Sequence, residues 1–268
     1  MSHHKVIRSP RLARKEKKRK TQKIIFLALL FVSVCAAAVY GLSRPAFRIT
    51  QIDVSGSSRV PVESIVEAVK EDIAGTYFGF IPKAHALFYP ESAIQQELRE
   101  EFPTFSKVSL SLKHLAALQV AVREREPQAL WCAGTFGCFL IDETGFVFAP
   151  AEEGTENLYY RLEREATSSP LGIEVVSANR LAGGISFLKE LEGLGFTPER
   201  MIFKREQDSE VVLSGNARLL LKEGDYSRAL SNLQTLLAQG DVLPGTVTSP
   251  KVEYVDLRYG NKIYVKPK

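Results

Sequence analysis

Nineteen consecutive residues, IIFLALLFVSVCAAAVYGL from Ile24 to Leu42, carry no charge, and no other stretch of the chain limits its folding so tightly. As a helix the run spans about 28 Å at ~1.5 Å per residue, close to the hydrocarbon thickness of a bilayer. Its flanks are unequal. Residues 1–23 hold ten Lys or Arg and one acid, Glu16, which leaves 25 basic and 30 acidic residues in the remainder. Basic charge on one flank alone predicts a cytoplasmic N-terminus with everything after Arg44 outside, and Tyr40 near the outer interface. A cleaved signal peptide has a shorter apolar core, although Ala36-Ala37-Ala38 resembles a cleavage site. A lipoprotein reading requires a small residue before Cys35, and Val34 stands there. The basic tail could attract nucleic acid, but topology plus attraction to anionic lipid heads accounts for the same charges. The run reads as an uncleaved single-pass anchor, 24–43, behind a basic cytoplasmic tail, 1–23, with no nucleic-acid partner.

A chain of 268 residues holds one large or two ordinary domains, and 45% hydrophobic with 25% charged residues is the composition of a folding chain. FRITQIDVSG (47–56) alternates Ile49, Ile52 and Val54 with polar residues and ends at a glycine, as a half-buried strand does. VPVESIVEAVKEDIAG predicts a helix with Val62, Ile65, Val66 and Val69 on one face and a stop at Gly75. PESAIQQELREEFP predicts a second helix ending before Pro103, and KVSLSLKHLAALQVAVRERE two strands turning near His114. From about Glu126, QALWCAGTFGCFLIDETGFVFAP reads as short strands with turns at Ala133-Gly134 and Thr144-Gly145. A helix follows in AGGISFLKELEGLG, carrying Ile185, Leu188 and Leu191. Strands follow in RMIFKRE, EVVLS and ARLLLKEG, then a helix in SRALSNLQTLLAQG. The segment VEYVDLRYGNKIYVKPK (252–268) reads as two strands around Gly260-Asn261, whose positive-φ positions suit a two-residue loop. Nothing after it could cover the outer edge of its second strand, and an open edge is a pairing hazard unless a partner takes it.

Four of these segments, in this order behind an anchor, resemble the bacterial divisome family FtsQ, called DivIB in Gram-positives. They are ITQIDVSG (49–56), VREREPQALW (122–131), LIDETGFVF (140–148) and EYVDLRYGNKIYV (253–265). The resemblance implies an α+β protein with one N-terminal transmembrane helix, a POTRA domain of order β-α-α-β-β over 44–125, and a mixed β-domain with flanking helices over 126–268. It implies a type II protein of the cytoplasmic (inner) membrane at the division septum. There it would recruit and link division proteins without catalysis and without a cofactor. A segment of an FtsB- or DivIC-like protein would add to the edge of the last strand, with FtsL and through it the septal peptidoglycan synthase as further partners. Carried over by motif, Arg258 and Tyr259 of DLRY and the strand Lys262, Ile263, Tyr264 and Val265 are the expected partner-binding residues. Tyr259 also suits a structural role at the last rung of the hairpin. TYFGFIPKAHALFYP (76–90) is longer and more aromatic than the family's usual loop, and Tyr77, Phe78, Phe80, Phe88 and Tyr89 suit either a contact surface or a lid over a core.

Catalytic sets are missing from the sequence. The histidines are His3, His4, His85 and His114, and none accompanies Cys132 or Cys138 as a base. LAGGIS matches no phosphate loop, and Asp142-Glu143 reads as an ordinary turn pair. The rival reading, an anchored or secreted cell-wall hydrolase with a POTRA-like module, lacks its catalytic pair. Cys132 and Cys138 flank AGTFG between two apolar strands and would face an oxidising compartment. They offer half of a zinc site at most. A cross-strand disulfide and two buried thiols both fit, because spacing alone does not fix the Cβ geometry.

Overall fold

The computed structural model describes residues 10–42, 44–79, 81–204, 208–239 and 245–268. The first nine residues, with His3 and His4, lie outside them, as does Phe80 of the aromatic segment. Helix α1 (Pro10–Leu42) runs unbroken for 33 residues and contains the uncharged run. From Ile24 to Val34 every side chain is exposed, although almost all are apolar. Among the described residues no helix is long and apolar enough to cross a membrane. The side chains of Cys35, Ala38, Val39 and Leu42, all within the uncharged run, lie outside the described residues.

The chain divides into two compact units, the first of which includes α1. The first takes in the chain to Ser55, Arg59–Gln95 and Ser109–Ala121; the second takes in Gly56–Ser58, Gln96–Val108 and Val122–Lys268. In chain order come β1 (Gln51–Ser55), α2 (Val62–Asp72), the small strands β2 (Thr76–Tyr77) and β3 (Ile81–Pro82), α3 (Glu91–Glu101), β4 (Phe105–His114) and β5 (Ala117–Glu124). The strand-helix-helix-strand-strand order expected from the sequence is present, with the β2–β3 hairpin added between the helices. These strands form a sheet of order β1-β5-β4, in which β1 runs parallel to β5 from Gln51↔Ala117 to Ser55↔Ala121. Helix α2 buries Ile65, Ala68 and Val69, while Val62, expected on that face, is exposed. At the very start of the helix Val62 precedes the first full turn, so Ala68 completes the apolar face in its place.

The second unit contains β6 (Ala129–Cys132), β7 (Cys138–Ile141), β8 (Val147–Pro150), β9 (Arg161–Glu163), α4 (Ala178–Gly193), β10 (Pro198–Phe203), β11 (Asp208–Leu213), β12 (Arg218–Lys222), α5 (Tyr226–Ala238), the short β13 (Gly245–Thr246) and β14 (Ser249–Pro250), β15 (Val252–Tyr259) and β16 (Lys262–Pro267). Nine of these strands form one sheet of order β16-β15-β12-β11-β10-β9-β6-β7-β8. Alternate residues Val211 and Leu213, Leu219 and Leu221, and Val255 and Leu257 enter a core shared with Leu188 and Leu191 of α4 and Leu233 and Leu236 of α5. That period of two on the strands against helical spacing on α4 and α5 is the pattern of helices covering a half-buried sheet. The crossover through α5 makes β12 and β15 parallel, with Arg218↔Tyr254 and Leu220↔Asp256 in register. β16 then folds back on β15 and ends the strand order.

Candidate functional site

The closing hairpin is built by its own alternation. Along β16, Ile263 and Val265 are half-buried and pack against the core, while Lys262, Tyr264 and Lys266 are exposed. A single strand therefore carries both its anchoring residues and an exposed polar-aromatic row. The turn is Gly260-Asn261, with Tyr259 opposite Lys262. Only Gly260 takes a positive φ, 62°, at the first central position as in a II′ loop; Asn261 does not share it. From α5, the Asn232 Nδ2 donates to the Gly260 carbonyl at 2.6 Å and holds the turn onto the helix layer. Among the described residues β16 has one strand neighbour, β15, so its outer edge is open.

Tyr259 and Tyr264 are 57% and 51% exposed, and their rings meet edge-on with centroids 5.6 Å apart. Arg258 lies 5.6 Å from the Tyr259 ring centre, and its guanidinium donates to both carboxylate oxygens of Asp256 and, at 2.8 Å, to Asp208 on β11. The Asp256 and Asp208 carboxylates hold the Arg258 pKa above its ordinary value. Burial pushes the Asp256 carboxyl up, but the hydrogen bonds and charge of Arg258 outweigh it, leaving Asp256 below the usual carboxylate value. Arg258 is thus committed within the sheet and positions Tyr259. A second ladder crosses the neighbouring rungs: Lys266 bonds Glu253 at 2.7 Å, Arg218 reaches Glu253 and Glu210, and Lys204 reaches Glu210. The hydrogen bond and charge of Lys266 hold the Glu253 carboxyl below its ordinary value. These pairs link β16 to β15 and β15 to β12, and Lys262 stays exposed beside the tyrosines.

Comparison with known proteins decides the relationship. Over 265 residues the chain is 26% identical to a protein named "Cell division protein FtsQ" from Geotalea daltonii, covering 92% of this chain and 87% of that one. The chain is similar to proteins named FtsQ. FtsQ of Chloroflexus aggregans is 28% identical over 245 residues, 88% of this chain and 79% of its own length. FtsQ of Chloroflexus aurantiacus is 26% identical over 254 residues, 90% and 81% respectively. No family model matches the chain. Each FtsQ-like segment has a definite location: ITQIDVSG forms β1 and its glycine turn, VREREPQALW runs from β5 into β6, LIDETGFVF makes β7, a turn and β8, and EYVDLRYGNKIYV makes the β15–β16 hairpin.

Two other groups weighed in the sequence, the Cys132–Cys138 pair and Asp142, lie apart from the edge strand. Cys132 and Cys138 are register partners on β6 and β7, their Cα atoms 4.0 Å apart and their sulfurs bonded. Asp142 is buried, unlike an ordinary turn acid. Its Oδ1 accepts from the Thr144 amide (2.9 Å) and hydroxyl (2.6 Å) and from the Phe146 amide (3.1 Å), while its Oδ2 accepts from Arg125. Burial raises the Asp142 carboxyl and these donors more than reverse it, so it too lies below the usual value. The sequence carried no signal for the Arg125 partner, 17 residues away, or for Asp208 and Asn232, which converge on the hairpin only through the sheet and helix packing. Among the described residues no group of three or more His, Cys, Asp or Glu could hold a metal ion.

Proposed function

We propose that this chain is a non-enzymatic division protein, anchored in the cytoplasmic membrane by α1 with its N-terminus inside, that docks a partner segment on the open edge of β16. The observation that carries the reading is an edge strand, β16, whose outer side is unpaired among the described residues and whose exposed Lys262 and Tyr264 stand beside the exposed Tyr259 of β15. An extended segment adding there would gain main-chain hydrogen bonds from the edge and selectivity from the two tyrosines and the lysines. The names of the FtsQ relatives support cell division as the setting. FtsB- or DivIC-like and FtsL-like proteins, and indirectly the septal peptidoglycan synthase, are the partners implied by the family resemblance. The uncharged run with exposed apolar side chains in α1 supports the anchor.

Proline scanning of the edge tests the docking. Successive amides of an edge strand point alternately toward the neighbour and away from it, so Ile263→Pro and Tyr264→Pro remove one inward and one outward donor. The variant lacking the outward donor should keep its melting temperature and lose capture of the FtsB-like segment. Tyr259→Ala should weaken capture by about 1–3 kcal/mol if the ring is a hot spot. Full capture by both proline variants in folded form would overturn the docking reading. Dye release from labelled peptidoglycan by the purified chain would overturn the non-enzymatic one.

A further inference from the structure

The segment after β2 displays apolar side chains that the docking edge does not use. Phe78, between β2 and β3, is 90% exposed with φ of 51°, Leu87 is 60% exposed, and Phe88 is 46% exposed. These residues belong to the same unit as α1, and the backbone ties Leu87 and Phe88 to the chain directly beyond it. The Ala86 amide donates to the Phe47 carbonyl at 2.8 Å, the Ile49 amide donates to the Ala84 carbonyl at 2.7 Å, and Arg48 bridges His85. His85 is the pin. It is buried, its ring stacks on Phe47 at 5.8 Å and meets Phe88 at 5.2 Å, and its Nδ1 accepts from the Leu87 amide at 3.1 Å.

Phe47 is five residues past the end of α1, and Pro45–Phe47 is a 3₁₀ turn. With ~3.5 Å per extended residue and ~2 Å per 3₁₀ residue, the path from Leu42 to Phe47 covers no more than about 13 Å. Arg44 lies over the Tyr40 ring at 4.8 Å, a cation–aromatic pair suited to headgroup depth. A loop fixed to Phe47 and Ile49 is therefore held within reach of the bilayer surface whenever α1 spans it. Exposed phenylalanine and leucine at that level gain by entering the boundary between headgroups and acyl chains.

We propose that Leu87 and Phe88 rest in the outer lipid interface and make a second membrane contact that orients the first unit on the bilayer. This rests on the reading of α1 as a membrane anchor. The test uses full-length chain in vesicles made with brominated lipids, and single tryptophan reporters. The chain has one native tryptophan, Trp131, which is buried and supplies the background. Leu87→Trp and Phe88→Trp should be quenched by bromines near the headgroups and Phe31→Trp by deeper ones, each relative to the same variant in vesicles without bromine. If Phe31→Trp is quenched while Leu87→Trp and Phe88→Trp fluoresce as they do without bromine, the contact is overturned and the anchor stands. An unquenched Phe31→Trp removes the anchor and the contact together. Shielding of the two loop reporters that appears only at high protein-to-lipid ratio would assign the surface to a second copy and overturn the lipid reading.

Discussion

Asp142 collects four hydrogen bonds on one buried carboxylate and faces Arg125, whose guanidinium also covers the Phe146 ring at 4.1 Å. Removing one partner of a buried ion pair strands the other, so Asp142→Ala should cost roughly 3 kcal/mol in a urea titration. Asp142→Asn keeps an acceptor for the Thr144 and Phe146 amides and should cost less. The folded carboxyl lies below its unfolded value, so its contribution is complete above the ordinary carboxylate pKa, about 4, and is lost as pH falls through the folded one. Melting temperature should drop below that pH in the parent, and Asp142→Asn should flatten part of the drop. The Thr144-Gly145 turn was legible because turn residues act locally. The charge on Asp142 reads as ordinary until the fold brings Arg125 to it.

Turns and strands differed in how openly the sequence announced them. Gly145 was legible as a turn, but its reason lies in tertiary structure: φ is 83°, and an added Cβ would sit 1.9 Å from the Val176 carbonyl oxygen. A Cβ on Gly260, also at positive φ, would meet nothing within 4 Å. Gly260→Ala should therefore cost about 1 kcal/mol from backbone strain alone, and Gly145→Ala several times that, read from paired denaturation curves. The β6–β7 hairpin carries its own test. Protein taken from its native compartment should yield two more alkylatable thiols after reduction, from Cys132 and Cys138. Opening that short loop by Cys132→Ser with Cys138→Ser should cost about 2 kcal/mol. Equal labelling before and after reduction would leave two thiols there. β9 gave no warning in the sequence. It has three residues, Arg161, Leu162 and Glu163, with one apolar side chain and parallel neighbours on both sides, so neither alternation nor a hairpin turn marks it.

At the scale of the whole molecule the charge asymmetry and the uncharged run carried the topological expectation, and the alternating segments carried the expectation of a second block starting near Glu126. Protease added to spheroplasts should remove the chain beyond Arg44 and leave a fragment holding the basic tail and α1; a mature protein starting near Val39 would end that reading. The join at β9 has a further consequence. Among the described residues, backbone pairing between the β6–β8 strands and the β10–β16 strands passes through β9 alone, with two register pairs to β10 and three to β6. Side chains make the stronger seam there: Leu162 is fully buried, and Trp131 stacks on Phe203 at 5.8 Å across it. Amide exchange and chemical denaturation should then diverge. Amides of β11, β12 and β15 should exchange as one cooperative group and those of β6 and β7 as another, although the shared core melts in a single transition. Truncating the seam with Phe203→Leu should widen the gap between the two exchange groups while leaving the ladder inside each intact.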